Sequence, residues 1–266
     1  MADLPAPENM ESEATEPEGR MPLTEHLREL RDRLIKAGIG FALAFVVCYY
    51  YSDPLFALLQ QPLITAMAKV APDQATLAVT SLTEGFLTNL KVGALGAFFL
   101  ASPVFFYQGW QFIAPGLYPT ERKLVIPFVM AFSILFTAGA GFGYFVVFPF
   151  VFTFFLQAIG GGILPVLSIK DFLEIASKLL LLFGLIFQLP VLSFFLARLG
   201  IINWQTMKAY RKYAIVVIFV LGAVLTPPDP ISQALIAIPF MILYEVGIWV
   251  ARLAAPRQVE AETADS

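Results

Sequence analysis

Long apolar stretches separated by short polar segments make up most of the chain. Six of the stretches carry almost no charge and end at charged residues or at Pro, Asp or Gly; they cover residues 37–52, 92–112, 124–156, 179–197, 213–225 and 231–251. A hydrocarbon core about 30 Å thick is crossed by roughly 20 helical residues. The pattern therefore predicts an all-α, polytopic membrane protein with six transmembrane helices.

The six stretches differ strongly in length. At about 1.5 Å per residue, 124–156 would reach about 50 Å if straight, whereas 213–225 spans only about 20 Å. We expect the long stretch to tilt, project or bend, and it offers Gly139, Gly141, Gly143 and Pro149 as places to bend. The short stretch is expected to thin the bilayer, to recruit partners or to do both.

The basic residues predict how the spans are oriented. An even number of spans places both ends of the chain on one side, and with both ends in the cytoplasm 13 of the 17 Lys and Arg residues face inward. The outward-facing four are Lys69, Lys91, Lys170 and Lys178. The outer segments are then about 53–91, 157–178 and 226–230, of which the first two are long enough for short amphipathic helices.

Composition supports a membrane protein. Hydrophobic residues make up 58% of the chain and charged residues 14%, and the mean hydropathy is +0.76. Soluble domains average about 45–50% apolar and 25% charged residues, so an ordinary soluble domain is excluded. Residues 1–20 and 253–266 are polar and rich in acids, and we expect two disordered cytoplasmic tails around a membrane domain at 21–252.

The sequence lacks the patterns of an enzyme. Cys48 is the only cysteine and His26 the only histidine, which excludes an intrachain disulfide and a His-rich metal site. No P-loop, Ser/His arrangement or paired intramembrane Asp occurs, and no basic patch is interleaved with aromatic residues. We expect no enzymatic activity, no metal or cofactor and no nucleic-acid binding.

Residues 22–34 predict an amphipathic helix on the inner face. Thr24 is the predicted N-cap, and leucines follow at helical spacing. In one interpretation it is an interfacial helix whose arginines meet lipid phosphates while Glu29 pairs with Arg33 at i,i+4. His26 is interpreted as a solvated or capping-region residue.

Residues 108–123 form a second inner-face segment, the first cytoplasmic loop with its helix ends. Thr120 and Glu121 are suited to capping the following helix and complementing its dipole. Glu29 and Glu121, however, are two acceptor-only carboxylates on one membrane face, and carboxylates bind guanidinium groups through paired hydrogen bonds. An arginine-bearing ligand is therefore a second hypothesis.

Polar residues also lie inside or beside the predicted spans. Gln188 falls within the fourth span and Glu245 within the sixth, where hydrocarbon makes polar groups costly. They are expected to face protein, water or a partner helix. Thr226, Asp229 and Gln233 surround a tight outer turn whose two prolines are expected to break the helix.

Four blocks of the sequence resemble the TatC family, the polytopic component of the twin-arginine protein translocase. The blocks are HLRELRDRL (26–34), QGWQFIAPGLYPTERK (108–123), YFVVFP (144–149) and LTPPDPISQALIAIP (225–239). They occur in order, and the similarity extends over about residues 22–252. The second and fourth blocks are long enough to make chance similarity implausible.

The resemblance implies a six-helix, glove-shaped protein of the bacterial cytoplasmic membrane. Such a protein binds signal peptides with consecutive arginines and helps to move folded proteins across the membrane on the proton-motive force. Its implied partners are the single-span proteins TatA and TatB, together with further copies of itself.

Individual residues match family motifs. Signal-peptide recognition is carried over to Glu29, Arg31, Phe112 and Glu121, which favours that role over the interfacial and capping interpretations. The resemblance implies partner docking at Thr226 and Gln233 and other functional roles at Pro62, Tyr144, Asp229 and Glu245.

The fourth span departs from the family at one position. The pattern Phe-Glu-hydrophobic-Pro is here Phe187-Gln188-Leu189-Pro190, so a neutral amide replaces a carboxyl group. Because the amide cannot take up a proton, we expect Gln188 to supply hydrogen bonds to an inserted signal peptide or partner helix.

Two other classes of protein compete with this interpretation. A secondary transporter or channel is expected to show an internal repeat or a ring of intramembrane charges, and the sequence shows neither. A purely structural membrane scaffold is the third possibility.

Overall fold

The structure is a computed structural model that describes residues 23–70, 76–113, 125–158, 167–225 and 230–254. These residues are almost entirely helical, and the isolated bridge between Ala78 and Ser168 is their only β pairing. The α-helices, in chain order, are α1 (Leu23–Tyr50), α2 (Ser52–Val70), α3 (Glu84–Leu100), α4 (Ser102–Ile113), α5 (Val125–Phe142), α6 (Phe148–Ala158), α7 (Ile169–Ile186), α8 (Leu189–Arg198), α9 (Trp204–Ala209), α10 (Arg211–Leu225) and α11 (Pro230–Ala254).

Several of these helices are long and apolar enough to cross a bilayer. Within the described residues, four stretches qualify alone: His26–Tyr50, Val125–Ala158, Ile169–Arg198 and Pro230–Ala254. A fifth combines α3 with α4, which are bent by 53° relative to each other. With 15 residues, α10 is about 22 Å long and does not qualify by length. The predicted all-α, polytopic membrane fold is confirmed, and the count of six spans stays a prediction.

The N-terminal region differs from its prediction. An inner-face helix at 22–34 was expected to precede a separate span at 37–52, but α1 is one continuous helix of 28 residues. It begins at Leu23, so Thr24 lies inside the helix rather than at its N-cap. Leu27 and Leu34 are exposed, whereas Glu29 and Arg33 are half-buried, so this charged pair and not the leucines packs towards the rest of the protein.

Both long outer segments are also more helical than expected. The segment at 53–91 holds α2, a helix of 19 residues rather than a short one, and α3 begins within it. The segment at 157–178 holds the start of α7, which continues directly into the fourth span. That span is broken at Phe187 and Gln188, where α8 follows. Phe172 is buried while Asp171 is exposed, so this part of α7 is amphipathic, as expected for the segment.

The third span is the long helix expected from the sequence. It runs over 34 residues, Val125–Ala158, and consists of α5, a π-helical turn at Gly143–Val147, and α6. The Phe148 N–H donates to the Gly143 carbonyl, five residues back. The irregularity thus falls at one of the four predicted positions, Gly143.

The protein core lies between α2, α6, α7 and α11. Its fully buried side chains include Met67, Phe148, Phe183 and Phe240. The outer surface is also apolar: Ile126, Met130 and Ile134 form an exposed stripe along α5. Such stripes are excluded from the surface of soluble domains and match the lipid-facing side of a membrane helix.

Small residues allow α5 and α7 to pack closely. A methyl carbon added to Gly139 would lie 2.5 Å from the Phe183 carbonyl oxygen, and one added to Gly184 would lie 2.7 Å from the Phe136 ring. Close contact of helix backbones at glycine is the usual basis of helix association in lipid. This contact holds the broken fourth span against the long third one.

Candidate functional site

The first two sequence blocks meet where α1 begins and α4 ends. The rings of His26 and Phe112 are stacked, with centroids 4.4 Å apart and an interplanar angle of 27°. His26 is exposed and Phe112 half-buried. The histidine, interpreted from the sequence as a solvated or capping residue, is therefore exposed but packs against an aromatic partner that sequence reasoning did not identify.

Glu29 lies one helical turn beyond His26 on the same side of α1. Its Oε1 accepts a hydrogen bond of 3.2 Å from Arg33 Nη2, so the predicted i,i+4 ion pair is present. Arg31 instead donates to Asp32 through Nε and Nη2 at 3.2 and 3.1 Å. The Glu29 carboxylate thus accepts one hydrogen bond from a guanidinium group of its own helix, as the interfacial interpretation predicts, and binding of a ligand arginine stays a prediction.

Three of the predicted site residues lie outside the described part of the chain. They are Glu121, Thr226 and Asp229. The proposed pairing of Glu29 with Glu121 therefore stays a prediction, as do the roles of Thr226 and Asp229.

An apolar groove of about 710 Å³ lies between α2, α3 and the middle of the third span. Leu59, Val92, Phe99 and Phe145 are among its lining residues. The hydroxyl groups that also line it donate to backbone carbonyls: Ser102 to Phe99, Ser133 to Val129, Thr137 to Ser133 and Tyr144 to Leu58. With its hydroxyls engaged in this way, the groove presents an apolar surface.

Pro62 and Tyr144 are both predicted as functional from the resemblance. Tyr144 lines this groove, and Pro62 lines an adjoining hollow together with Tyr144. Pro62 is inside α2, and Tyr144 is in the π-helical turn. The Tyr144 hydroxyl donates to the carbonyl oxygen of Leu58 at 2.6 Å. The two residues are 82 positions apart in sequence (144 minus 62), and the structure brings them into one region.

Gln188 is buried at the break between α7 and α8, with 7% of its surface exposed. Its Nε2 donates to the Gly184 carbonyl oxygen at 3.1 Å. Its Oε1 is buried and has no hydrogen-bond partner among the described residues. Gln188 thus faces protein, one of the three surroundings expected for it, and its role stays a prediction.

Glu245 has a basic partner on the neighbouring helix. Arg211 Nη2 donates to Glu245 Oε2 at 2.6 Å, which joins the first residue of α10 to the interior of α11. The pair is 34 residues apart, and no local sequence pattern could have identified it. Glu245 thus has a basic partner within the protein, although 43% of its side chain stays exposed.

Gln233 also links the last two helices. Its Nε2 donates to the Phe219 carbonyl oxygen at 2.7 Å. Gly222 leaves room for this side chain, because an added methyl carbon would lie 3.2 Å from Gln233 Cγ. Partner docking at Gln233 stays a prediction, and a partner would meet a side chain whose amide nitrogen is already bonded within the protein.

Sequence reasoning missed Glu84, which connects two outer segments. Its Oε2 accepts from Thr80 N–H, Thr80 Oγ1 and Ser81 N–H at 2.5, 2.9 and 3.1 Å. Its Oε1 accepts from Ser168 Oγ and Lys170 N–H at 2.9 and 2.7 Å. The only local signal was an acid following three hydroxyl residues. In the described ranges, no cluster of three or more His, Cys, Asp or Glu side chains is arranged to hold a metal ion.

Comparison with known proteins places this arrangement in a family. The profile of the Sec-independent protein translocase protein (TatC) matches residues 25–239. The chain is 44% identical to the TatC protein of Desulforapulum autotrophicum over 236 residues, which cover 89% of this chain and 86% of that protein. It is 38% identical to the TatC protein of Haemophilus influenzae over 240 residues, 90% of this chain and 92% of that protein.

Solved structures agree with these sequence matches. A crystal structure of the twin arginine translocase receptor TatC is 36% identical and superposes with a TM-score of 0.74 over 86% of this chain and 99% of that one. A second, of the receptor in DDM, gives a TM-score of 0.76 at the same identity over 85% of this chain and 99% of that one. This chain therefore belongs to the TatC family of Sec-independent protein translocase proteins, the receptor component of the twin-arginine translocase.

Proposed function

We propose that this protein binds twin-arginine signal peptides at the end of α1 that carries Glu29. The observation that carries the proposal is the stacked contact between His26 and Phe112, 4.4 Å between centroids. It holds the end of α4, which precedes Glu121 in the sequence, beside the first turns of α1. The carboxylates of Glu29 and Glu121, which belong to separate motifs, would then lie on either side of one binding site.

Carboxylates in this position suit an arginine pair. A carboxylate accepts two parallel hydrogen bonds from the planar guanidinium group, and a lysine ammonium does not reproduce that geometry. Glu29 already holds the guanidinium of Arg33. Signal binding would exchange this internal partner for a signal arginine, with Arg31 and Phe112 as further contacts.

The apolar groove supplies a surface for the apolar part of the signal peptide. Its hydroxyl groups are bonded to backbone carbonyls and do not compete for hydrogen bonds. An apolar segment entering the groove would leave no polar group unpaired.

Transport itself is proposed to need further Tat subunits. Single-span TatA and TatB proteins would dock near Thr226 and Gln233, and copies of this chain would associate with one another. Folded cargo would cross the bacterial cytoplasmic membrane on the proton-motive force. Both ends of the chain would lie in the cytoplasm, as the distribution of basic residues favours. As a translocase component, the protein is not an enzyme.

Site-specific photo-crosslinking tests where the signal peptide binds. A photoreactive phenylalanine analogue is placed at Phe112 or, as a control, at Tyr50, an exposed residue at the other end of α1. We expect a twin-arginine peptide to crosslink at Phe112 and not at Tyr50, and a Lys-Lys variant to crosslink only weakly at Phe112 and not at Tyr50. Equal crosslinking of the two peptides at Phe112 would overturn the proposal.

A further inference from the structure

Pro62 removes one hydrogen bond from the middle of α2. The helix continues from Ser52 to Val70 through this residue. Proline has no N–H, so the carbonyl four residues earlier, that of Leu58, loses its helical donor. A carbonyl without a donor is costly wherever water is scarce.

The missing donor is replaced from another helix. The Tyr144 hydroxyl donates to this same Leu58 oxygen at 2.6 Å. We propose that Pro62 and Tyr144 act as one positioning unit, the Pro62–Tyr144 latch, in which the proline frees a carbonyl and the tyrosine binds it to fix α2 against the third span. Neither residue forms the latch alone.

The π-helical turn places Tyr144 for this contact. A π turn holds one residue more than an α turn, which shifts the residues before and after it around the helix axis. Gly143 and Val147 face the core, while Tyr144 is half-buried and Phe145 exposed. The tyrosine can therefore reach α2 without interrupting the packing of the third span.

The latch lies between two hollows. On one side is the apolar groove, which includes Leu58 and Tyr144 in its lining. On the other is a hollow of about 270 Å³, where Gln61, Thr65 and Lys69 of α2 face Pro149 and Thr153 of α6. Because the latch joins the walls that the hollows share, it fixes α2 to the third span beside the direct packing of α2 on α6. The importance of the latch for transport rests on the proposed binding of the signal peptide in the groove. The geometry of the latch does not depend on that proposal.

A double-mutant cycle tests the latch. In Pro62→Ala the new N–H restores the helical bond to the Leu58 carbonyl, so the Tyr144 hydroxyl becomes redundant. Spin labels at Thr65→Cys and Thr153→Cys, in a Cys48→Ser background, report the α2–α6 distance by pulsed electron paramagnetic resonance. We expect Tyr144→Phe to broaden the distance distribution when residue 62 is proline and to leave it unchanged in the Pro62→Ala background.

Transport is measured on the same variants. We expect Tyr144→Phe to lower the transport rate about 2- to 10-fold when Pro62 is present, the range for loss of one hydrogen bond, and less than about 2-fold in the Pro62→Ala background. The control Tyr50→Phe changes an exposed hydroxyl and should alter neither the distance nor the rate.

Two results would overturn the latch: an unchanged distance distribution in Tyr144→Phe, or equal broadening in both backgrounds. Binding of a twin-arginine peptide to the unaltered protein is a separate measurement. Its absence would contradict the proposed function, while the distance cycle would still decide the latch.

Discussion

At residue 188 a glutamine stands where the family resemblance leads us to expect a glutamate, and the two side chains form different hydrogen bonds. Its amide nitrogen is bonded to Gly184, and its buried oxygen has no partner within the described residues. An unpaired buried acceptor lowers stability in the resting protein and is available to a donor that arrives later. This supports a role in binding an inserted signal peptide or partner helix.

Replacement of Gln188 separates stability from function. We expect Gln188→Leu to keep or raise the unfolding temperature in detergent, because an unpaired polar oxygen is removed, while transport falls. Gln188→Glu should be tolerated, because a buried carboxyl takes up a proton and then both donates and accepts. Thermal unfolding and a transport assay on both variants check this, and normal transport by Gln188→Leu would show that the amide is passive.

Glycine contacts decide how two of the spanning elements pack. Gly139→Ala would push a methyl carbon against the Phe183 backbone oxygen, which cannot move aside as a flexible side chain does. We expect it to destabilise the protein by about 1–3 kcal/mol, the usual cost of overpacking. The unfolding temperature in detergent measures this.

Gly141→Ala is the matched control for that change. It lies two residues away in the same helix, and no atom approaches an added methyl carbon within 4 Å. Because alanine is the better helix former, this variant should be neutral or stabilising. Equal destabilisation by the two alanines would show that the α5–α7 contact is not as close as described.

The sequence predicted the helices where they contact lipid, because lipid-facing side chains must be apolar and therefore raise the local hydropathy. The long third span and the apolar stretches were evident because lipid-facing residues such as Ile126 must be apolar. The continuity of α1 and α7 with their polar starts was not evident, because a helix that leaves the bilayer continues into water with polar residues such as Arg31 and Lys170. The hydropathy pattern therefore predicts where a helix leaves the membrane, but it does not predict where the helix itself begins or ends.

The candidate site was predictable where local chemistry indicated it. Glu29 and its i,i+4 partner Arg33 followed from helical spacing. The contacts of Tyr144 with Leu58 and of Arg211 with Glu245 join residues 86 and 34 positions apart, and they depend on the packing of whole helices. A single sequence carries no signal for such pairs.

At the scale of the whole molecule, Glu84 joins two outer segments that are distant in sequence. One oxygen binds the segment before α3 and the other binds the start of α7. The bridge between Ala78 and Ser168 adds two backbone hydrogen bonds, of 2.9 and 3.2 Å, to the same junction. The junction ties the start of α3 to the start of α7.

Glu84→Gln should loosen this junction. The glutamine amide has one acceptor oxygen and turns an N–H₂ group towards donors. We expect hydrogen exchange at the Thr80 and Lys170 amides to rise on the order of tenfold. Glu174→Gln is the control. Glu174 forms an exposed ion pair with Lys178, and the Thr80 and Lys170 N–H groups donate to Glu84, so exchange at these two amides should stay unchanged. Unchanged exchange in Glu84→Gln would contradict the junction.

The central claim is that Glu29 binds a signal arginine, and the affinity of a twin-arginine peptide for the full-length protein in detergent tests it most directly. We predict that Glu29→Gln weakens binding of the twin-arginine peptide by about 1–3 kcal/mol, or about 5- to 150-fold. The ratio of the affinities for the twin-arginine and the Lys-Lys peptide should also decrease. Arg33→Gln should change the affinity less than about 2-fold, because i,i+4 pairs contribute only about 0.3–0.5 kcal/mol. Unchanged affinity in Glu29→Gln, or equal affinity of the unaltered protein for the two peptides, would contradict the account.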